Sequence, residues 1–390
     1  MFKMHKKRGE EMNIPSILSY EGRTSQTGLA VIKRFPDADI DSYTAFARIG
    51  DLLVEDCKPL ATPVWNSHKG EIRDTNVWEH LLERRCRLVD IWPGCIQFWF
   101  ITRRSDPSKI KRICCVKVAK QQCSHFLKQF KAALKPCEST VAALKTFIED
   151  PMQDAALIAP DQIQDDGMYS ILEKKTANPN NFTTFALLVP RSRKSSSEEI
   201  ENTHFTAVSM PAFQSTLSDV QKDFFEKLLE TDNLDDVPRL LFVFNRLNEA
   251  ASVGLLFQGP ILDEGDLLTA EMIDEKEIRV VEKAGNTPKQ YTTELDQFLL
   301  KDFGPLQQGG DFIKHRGDNA WLFACPKLGI YTHGYDEATI EPAFRYYINK
   351  IFKLLNRGLK CSAEQRAFFE KHEEAWKQRD ADFIEFALVC

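Results

Sequence analysis

The 390-residue sequence has no run of 18 or more apolar residues, so it shows no membrane-spanning helix of the usual length. Met1 to Asn13 is charged and carries no apolar core, so it does not read as a secretory leader. Also missing are a P-loop, a glycine fingerprint for dinucleotides, a Gly-x-Ser-x-Gly elbow and a His-Glu-x-x-His pair. These absences argue against ATP-driven, NAD-dependent, serine-hydrolase and zinc-protease chemistry of the common kinds. The chain has ten cysteines but lacks the paired Cys-x-x-Cys spacing of structural zinc. Two of them, Cys114 and Cys115, are adjacent, and without a leader all ten read as reduced thiols of a cytoplasmic protein.

What is present is a strong asymmetry of charge. Residues 1–194 hold 30 Lys and Arg against 23 Asp and Glu, whereas the remainder holds 21 against 34. The net charge of −6 therefore hides a basic first half and an acidic second half. Much of the positive excess falls between Ile101 and Pro136. There Arg103, Arg104, Lys109, Lys111, Arg112, Lys117, Lys120, Lys128, Lys131 and Lys135 face only Asp106. Cations gathered this way neutralise phosphates, so the ten are the candidate contacts for nucleic acid or another polyanion. Phe98, Trp99 and Phe100 just ahead of them supply rings that stack on bases where exposed. The plainer alternatives are an acidic protein partner, or a solvated face that docks on the acidic half.

Hydrophobic spacing predicts an α+β chain of two regions, each a mixed or antiparallel sheet with packed helices, the second ending in helices. Residues 1–12 read as a disordered tail, 13–194 as a basic α+β region, 195–203 as a linker containing Ser195, Ser196 and Ser197, and 204–390 as an acidic α+β region. In the first, Leu29 to Phe35 looks strand-like, and Asn76 to Leu88 reads as a helix. Cys95 to Thr102 and Ile110 to Val118, separated by Asp106-Pro107-Ser108, read as a hairpin. Helices are expected over Ser124 to Lys135, stopped by Pro136, and over Ser139 to Glu149, where Val141, Leu144 and Phe147 stack ahead of Asp150-Pro151. In the second region Ser218 with Gln221, and Ser362 with Gln365, have capping-box spacing, while Ile340, Phe344, Tyr347, Ile351 and Leu355 recur at helical spacing.

One enzymatic pattern stands out. Pro160-Asp161 followed by Glu173-Lys174-Lys175 fits the carboxylate–carboxylate–lysine signature of metal-dependent nucleases. Asp161 and Glu173 would hold a divalent ion through hard oxygen ligands, and Lys175 would support the attacking water. Pro36-Asp37 with Asp56-Cys57-Lys58 matches equally well, which shows how loose the pattern is. Cys325 and His333 could serve as nucleophile and base, but no orienting partner can be named. The sequence thus favours a non-enzymatic binding protein. Its basic region would contact nucleic acid or a polyanion and its acidic region would support assembly, including self-association. The alternatives are a metal-dependent nuclease, the one case that needs a divalent cofactor, and a scaffold between proteins with neither nucleic acid nor membrane as partner.

Overall fold

The computed structural model describes residues 16–55, 58–82, 85–160, 162, 169–177, 181–190, 205–211, 222, 231, 233–234, 237, 239–245, 252–258, 279–280, 310–316, 320–334 and 336–389. The tail, the serine-rich linker, the capping box at Ser218 and Gln221, and Asp161 all lie outside them.

Three sheets organise the α+β chain. Sheet one contains β1 (Ser16–Tyr20), β2 (Asp39–Tyr43), β3 (Leu60–Asn66), β4 (Gly70–Glu71), β5 (Cys86–Cys95) and β11 (Phe182–Pro190), in the order β2-β1-β3-β11-β5 with β4 on β3. Sheet two contains β6 (Trp99–Thr102), β7 (Arg112–Val116), β8 (Ala133–Cys137), β9 (Ala155–Ile158) and β10 (Ser170–Glu173), in the order β10-β6-β9-β7-β8. The chain leaves sheet one after β5 and returns into β11. The two crossing strands are tied where they pass, by Ile96 N–H donating to Asn181 O (3.0 Å) and Asn181 Nδ2 to Ile96 O (3.3 Å).

Alternation along β11 explains how sheet one is covered on both sides. Phe185, Leu187 and Val189 face the core shared with sheet two, while Ala186 and Leu188 face the opposite core. The first core receives Val31 of α1 (Gln26–Arg34), and the second receives Leu52 and Leu53 of α2 (Ile49–Glu55) and Val77, Trp78 and Leu81 of α3 (Val77–Leu82). Burial of each such large side chain contributes roughly 1.5–3 kcal/mol before entropy is counted. Sheet two carries the short helices α4 (Lys117–Gln122) and α5 (Ser124–Leu127). Its far side is closed by α6 (Thr140–Glu149), which inserts Ala143 and Phe147.

The second region forms sheet three, ordered β15-β12-β14-β13-β18-β17-β16-β19. Its strands are β12 (Phe205–Pro211), β13 (Arg239–Asn245), β14 (Ser252–Gln258), β15 (Arg279–Val280), β16 (Ile313–Arg316), β17 (Trp321–Cys325), β18 (Ile330–Gly334) and β19 (Ala387–Val389). Helices α7 (Glu337–Asn356) and α8 (Ala363–Arg379) cover one face through Phe344, Tyr347, Phe352, Phe369 and Trp376. Leu241, Ile313, Leu322, Ala324 and Tyr331 lie in the same core as Leu18, Trp65 and Leu188 of sheet one.

Several local readings change. Leu29 to Phe35 falls mostly in α1, because Ser25 caps the helix and Gly28 N–H bonds its hydroxyl at 2.9 Å. The expected hairpin of β6 and β7 does not form. β9 is inserted between them, antiparallel to β6 and parallel to β7, and Asp154 just ahead of it accepts the backbone N–H groups of Lys111 and Arg112 at 2.8 and 3.1 Å. The helix expected from Ser124 stops at Leu127, and Ala133–Cys137 becomes β8, parallel to β7. No helix among the described residues is long and apolar enough to cross a membrane.

Candidate functional site

Between sheets one and two lies a cavity of about 570 Å³, within the usual size range of small-molecule sites. Its floor is apolar, made by Ile96 and Phe98 of the first crossing and Phe185 of β11. Polar groups enter from both sheets. The first turn of α1 is held by Ser25, whose hydroxyl donates among Tyr20 O (2.6 Å) and Gly22 O (2.9 Å). The first turn of α6 is capped by Ser139, which accepts from Ala142 N–H at 3.0 Å. Both N-termini line the cavity, one from each sheet, and helix N-termini favour negative charge. Gln162 links the two sides by donating to Thr24 O (2.9 Å) and Thr140 Oγ1 (3.1 Å).

The turn after β3 supplies the densest polar group. Asn66 is buried and its amide shares two N–H groups among Asn181 Oδ1 (3.1 Å), Phe182 O (2.9 Å) and Thr183 Oγ1 (3.0 Å), while its own Oδ1 accepts from His68 and Lys69 N–H. Because Thr183 Oγ accepts from Asn66, its own proton is free to point elsewhere. Thr183, Asn66, Lys69, Glu71 and Arg73 all border the cavity.

Two of the cavity's acids are shifted toward their neutral forms. Burial pushes Glu71 up to about 7, with Arg73 pulling the other way from 3.7 Å and Glu79 adding to the rise. Burial also raises Glu21, opposed by a hydrogen bond with Ser139 and reinforced by Glu138. An acid with a pKa near neutrality can deliver a proton at physiological pH. Of this lining the sequence points to Phe98, as a candidate stacking ring, and Ser139, as the start of a helix, but marks neither as part of a small-molecule site. The lining is drawn from segments scattered between Tyr20 and Phe185, and burial does not show in a linear pattern.

The ten candidate cations and the residues of the nuclease and cysteine–histidine patterns that the structure describes lie elsewhere. Arg103 donates to the carbonyls of Ile148, Asp150 and Gln153 and covers the Phe147 ring at 4.3 Å, tying off the end of α6. Arg104 pairs with Asp154 at 2.6 Å and Lys135 with Asp150 at 3.3 Å. Lys109, Lys111, Arg112, Lys117, Lys120, Lys128 and Lys131 are exposed but distributed over a 3-10 turn, β7, α4 and the loop after α5. Phe98 and Phe100 are core residues, and Trp99 is half-buried beneath Lys174. Of the nuclease pattern, Glu173 lies exposed on the edge strand β10, where Oε1 accepts from the N–H groups of Lys174 (2.8 Å) and Lys175 (3.0 Å). Among the described residues no group of His, Cys, Asp or Glu is arranged to hold a metal ion. In the second pattern Asp37 is exposed and Lys58 pairs with Asp41 at 2.6 Å. His333 and Cys325 are out of register, since their partners across β17 and β18 are Leu322 and Ile330. Burial lowers His333 to about 4, so it is neutral.

Residues 22–193 match the family model for prephenate dehydratase. No curated protein matches the sequence. Among solved structures, the fold is similar to that of a prephenate dehydratase from Arthrobacter aurescens, solved with L-Phe. That match has a TM-score of 0.51 at 15% identity and covers 72% of this chain and 96% of that one. A prephenate dehydratase from Staphylococcus aureus subsp. aureus Mu50 aligns with a TM-score of 0.49 at 15% identity, over 69% and 99% of the two chains. GqqA, described as a novel type of quorum quenching acylase, aligns with a TM-score of 0.49 at 16% identity, over 68% and 96%.

The family match overturns the expectation of a non-enzymatic binder of nucleic acid, and with it the metal-nuclease alternative. The basic stretch from Arg103 to Lys135 and the Glu173 motif both fall inside a region similar to a dehydratase. Clustered positive charge in the sequence was misleading because Arg103, Arg104, Lys109, Lys111 and Lys135 are engaged by carbonyls and carboxylates of sheet two and its connecting segments.

Proposed function

We propose that the chain is an enzyme of the prephenate dehydratase kind, with its active site in the cavity between sheets one and two. The observation that carries this is a coincidence of two independent facts. Nearly every segment that builds the cavity, from Ser25 through Thr183, lies inside residues 22–193, the span that matches the family model.

Prephenate is a cyclohexadiene diacid carrying a ring hydroxyl. In its dehydration the hydroxyl is protonated and leaves as water, the ring carboxylate leaves as carbon dioxide, and the electrons of that C–C bond complete an aromatic ring. The step needs a proton donor, seats for two carboxylates and an apolar wall. Glu71, protonated near neutral pH, is the donor in this reading. The N-terminal turns of α1 and α6, with Lys69 and Arg73, take the carboxylates. The Thr183 hydroxyl, oriented by Asn66, hydrogen-bonds the departing oxygen. Ile96, Phe98 and Phe185 pack on the ring and keep out water, which strengthens each of these interactions. Proton transfer and electron flow within the substrate account for the whole reaction, so it calls for no cofactor. A small soluble diacid as substrate fits a cytoplasmic location.

The test is direct. Purified full-length protein incubated with prephenate should form phenylpyruvate, followed by ultraviolet absorbance. Glu71→Gln should lower kcat by roughly 100-fold, the usual worth of a positioned acid. A wild-type chain that leaves prephenate unchanged beyond its spontaneous decay would overturn the proposal.

A further inference from the structure

The turn from Asn66 to Gly70 has two sides. One side borders the cavity through Asn66 and Lys69. The other is held by a residue 248 positions away in sequence, for His315 on β16 of sheet three places Nε2 3.1 Å from Ser67 O. A carbonyl can only accept, so Nε2 carries the proton and the ring donates. His315 is 1% exposed, and His68 packs edge-on to it at 6.3 Å between ring centres. Trp65, one residue before Asn66, meets His333 of β18 edge-on at 4.7 Å.

Ser67 is also the point where the turn is fastened to β11. Its N–H donates to Phe182 O (3.0 Å) and its hydroxyl accepts from Phe182 N–H (3.1 Å). Asn66 grips the same strand through Phe182 O and Thr183 Oγ1, and Asn181 beside them ties the crossing at Ile96. A single turn therefore joins the cavity, the crossing between sheets and the C-terminal sheet.

We propose that His315 is a positioning residue for this site. From the C-terminal sheet it latches the Ser67 carbonyl, fixing the turn that sets Asn66, Lys69 and Thr183 against the substrate. The latch rests on the reading of the cavity as a prephenate site, but its geometry does not depend on that reading. Without the imidazole, Ser67 O loses this donor and the turn loses its tie to sheet three. Lys69, which reaches the cavity from that turn, then holds a carboxylate less well. The second region thereby completes the site of the first without touching the substrate.

The experiment uses the full chain with His315→Ala and His315→Gln, the latter keeping a donor within reach of Ser67 O. Thermal unfolding first establishes that each variant is folded. Amide hydrogen exchange is then followed at Ser67, His68 and Lys69, and steady-state kinetics are measured with prephenate. Loss of the bond should speed exchange at these amides, and raise KM for prephenate, by about tenfold in His315→Ala, which is what one buried hydrogen bond is worth. In that variant kcat should change less than KM, and His315→Gln should restore most of both. Unchanged exchange in His315→Ala overturns the latch whatever the activity does. Faster exchange with an unaltered KM overturns its role in positioning. Should wild-type protein fail to turn over prephenate, the proposed function falls, and exchange together with the affinity for phenylpyruvate decides the latch.

Discussion

Glu71 sits on the two-residue strand β4 with a side chain one-tenth exposed, and its ordinary pKa of 4.5 is pushed up to about 7. Below pH 4.5 the carboxyl is protonated in both folded and unfolded chains, and burial costs nothing extra. Between 4.5 and 7 only the unfolded chain ionises, so stability falls as pH rises, and above 7 the folded chain bears the full cost. That loss is at most about 3 kcal/mol. Glu71→Gln should therefore be more stable than wild type at pH 8 and closer to it at pH 4, as read from urea midpoints, while being the less active protein. Identical pH dependence of the two midpoints would show that Glu71 does not titrate there. Asp154 behaves in the opposite sense. Burial raises its pKa, but the N–H groups of Lys111 and Arg112 and the Arg104 guanidinium outweigh burial and leave it below the usual value. Its contribution is present above the pKa of the unfolded chain and fades as pH falls through the native one. Asp154→Asn should cost about 2 kcal/mol at pH 7, since charge-assisted bonds to a carboxylate 5% exposed are lost, and much less at pH 3. Equal destabilisation at both pH values would argue against a charged role. Neither acid could be picked out from sequence, because the difference between them is made by burial and by donors that are distant along the chain.

Helix ends were legible because their chemistry is local. Ser139 caps α6, and Ser362 with Gln365 closes the reciprocal box ahead of α8, with bonds of 2.9 and 3.2 Å. Strand partners were not legible in the same way. The turn residues 103–109 promised a hairpin, yet β9, from 50 residues further on, took the place between the two strands. A local turn signal fixes where a strand ends and says little about its neighbour. Gly28 is a similar case, since a glycine inside a helix reads as a loss of about 1 kcal/mol that alanine would repair. In the fold an added Cβ would lie 2.1 Å from Gly22 O and 2.7 Å from the carbonyl of Arg23, all of it backbone. Gly28→Ala must therefore push α1 away from the turn that Ser25 anchors, and should destabilise by about 1–3 kcal/mol instead of stabilising. Because the displaced turn borders the cavity, KM for prephenate should rise as well. A variant more stable than wild type in urea would contradict the close approach.

At the scale of the whole chain, the α+β class with two regions follows from the hydrophobic pattern, but the way the regions meet does not. Opposite net charge in the two halves suggested electrostatic docking. The structure instead shows a continuous apolar core in which Leu241, Leu322, Ala324 and Tyr331 of sheet three pack with Leu18, Trp65 and Leu188 of sheet one. Long-range burial of this kind leaves no mark in a count of charges. It does have a consequence for independence. Leu88, Ile91 and Leu188 of sheet one belong to a core that α2 and α3 fill in part and residues 205–390 help to close, and a chain ending at 194 would present the part covered by sheet three to water. Leu18, Leu60, Val64, Trp65, Leu88 and Leu188 are each 5% exposed or less in the full chain, and each such side chain that sheet three alone covers would forfeit roughly 1.5–3 kcal/mol, so uncovering a few of them consumes much of the stability margin of an ordinary domain. Residues 1–194 alone should therefore aggregate, or bind a hydrophobic dye without a cooperative thermal transition, even though they contain every residue assigned to the cavity. An apolar joint also resists salt, so raising NaCl from about 0.05 to 0.5 M should leave the full-length melting temperature nearly unchanged, where docking by opposite charge would lower it. A soluble 1–194 fragment that melts cooperatively and turns over prephenate would show that sheet three is dispensable, and would remove the structural reason for the His315 latch.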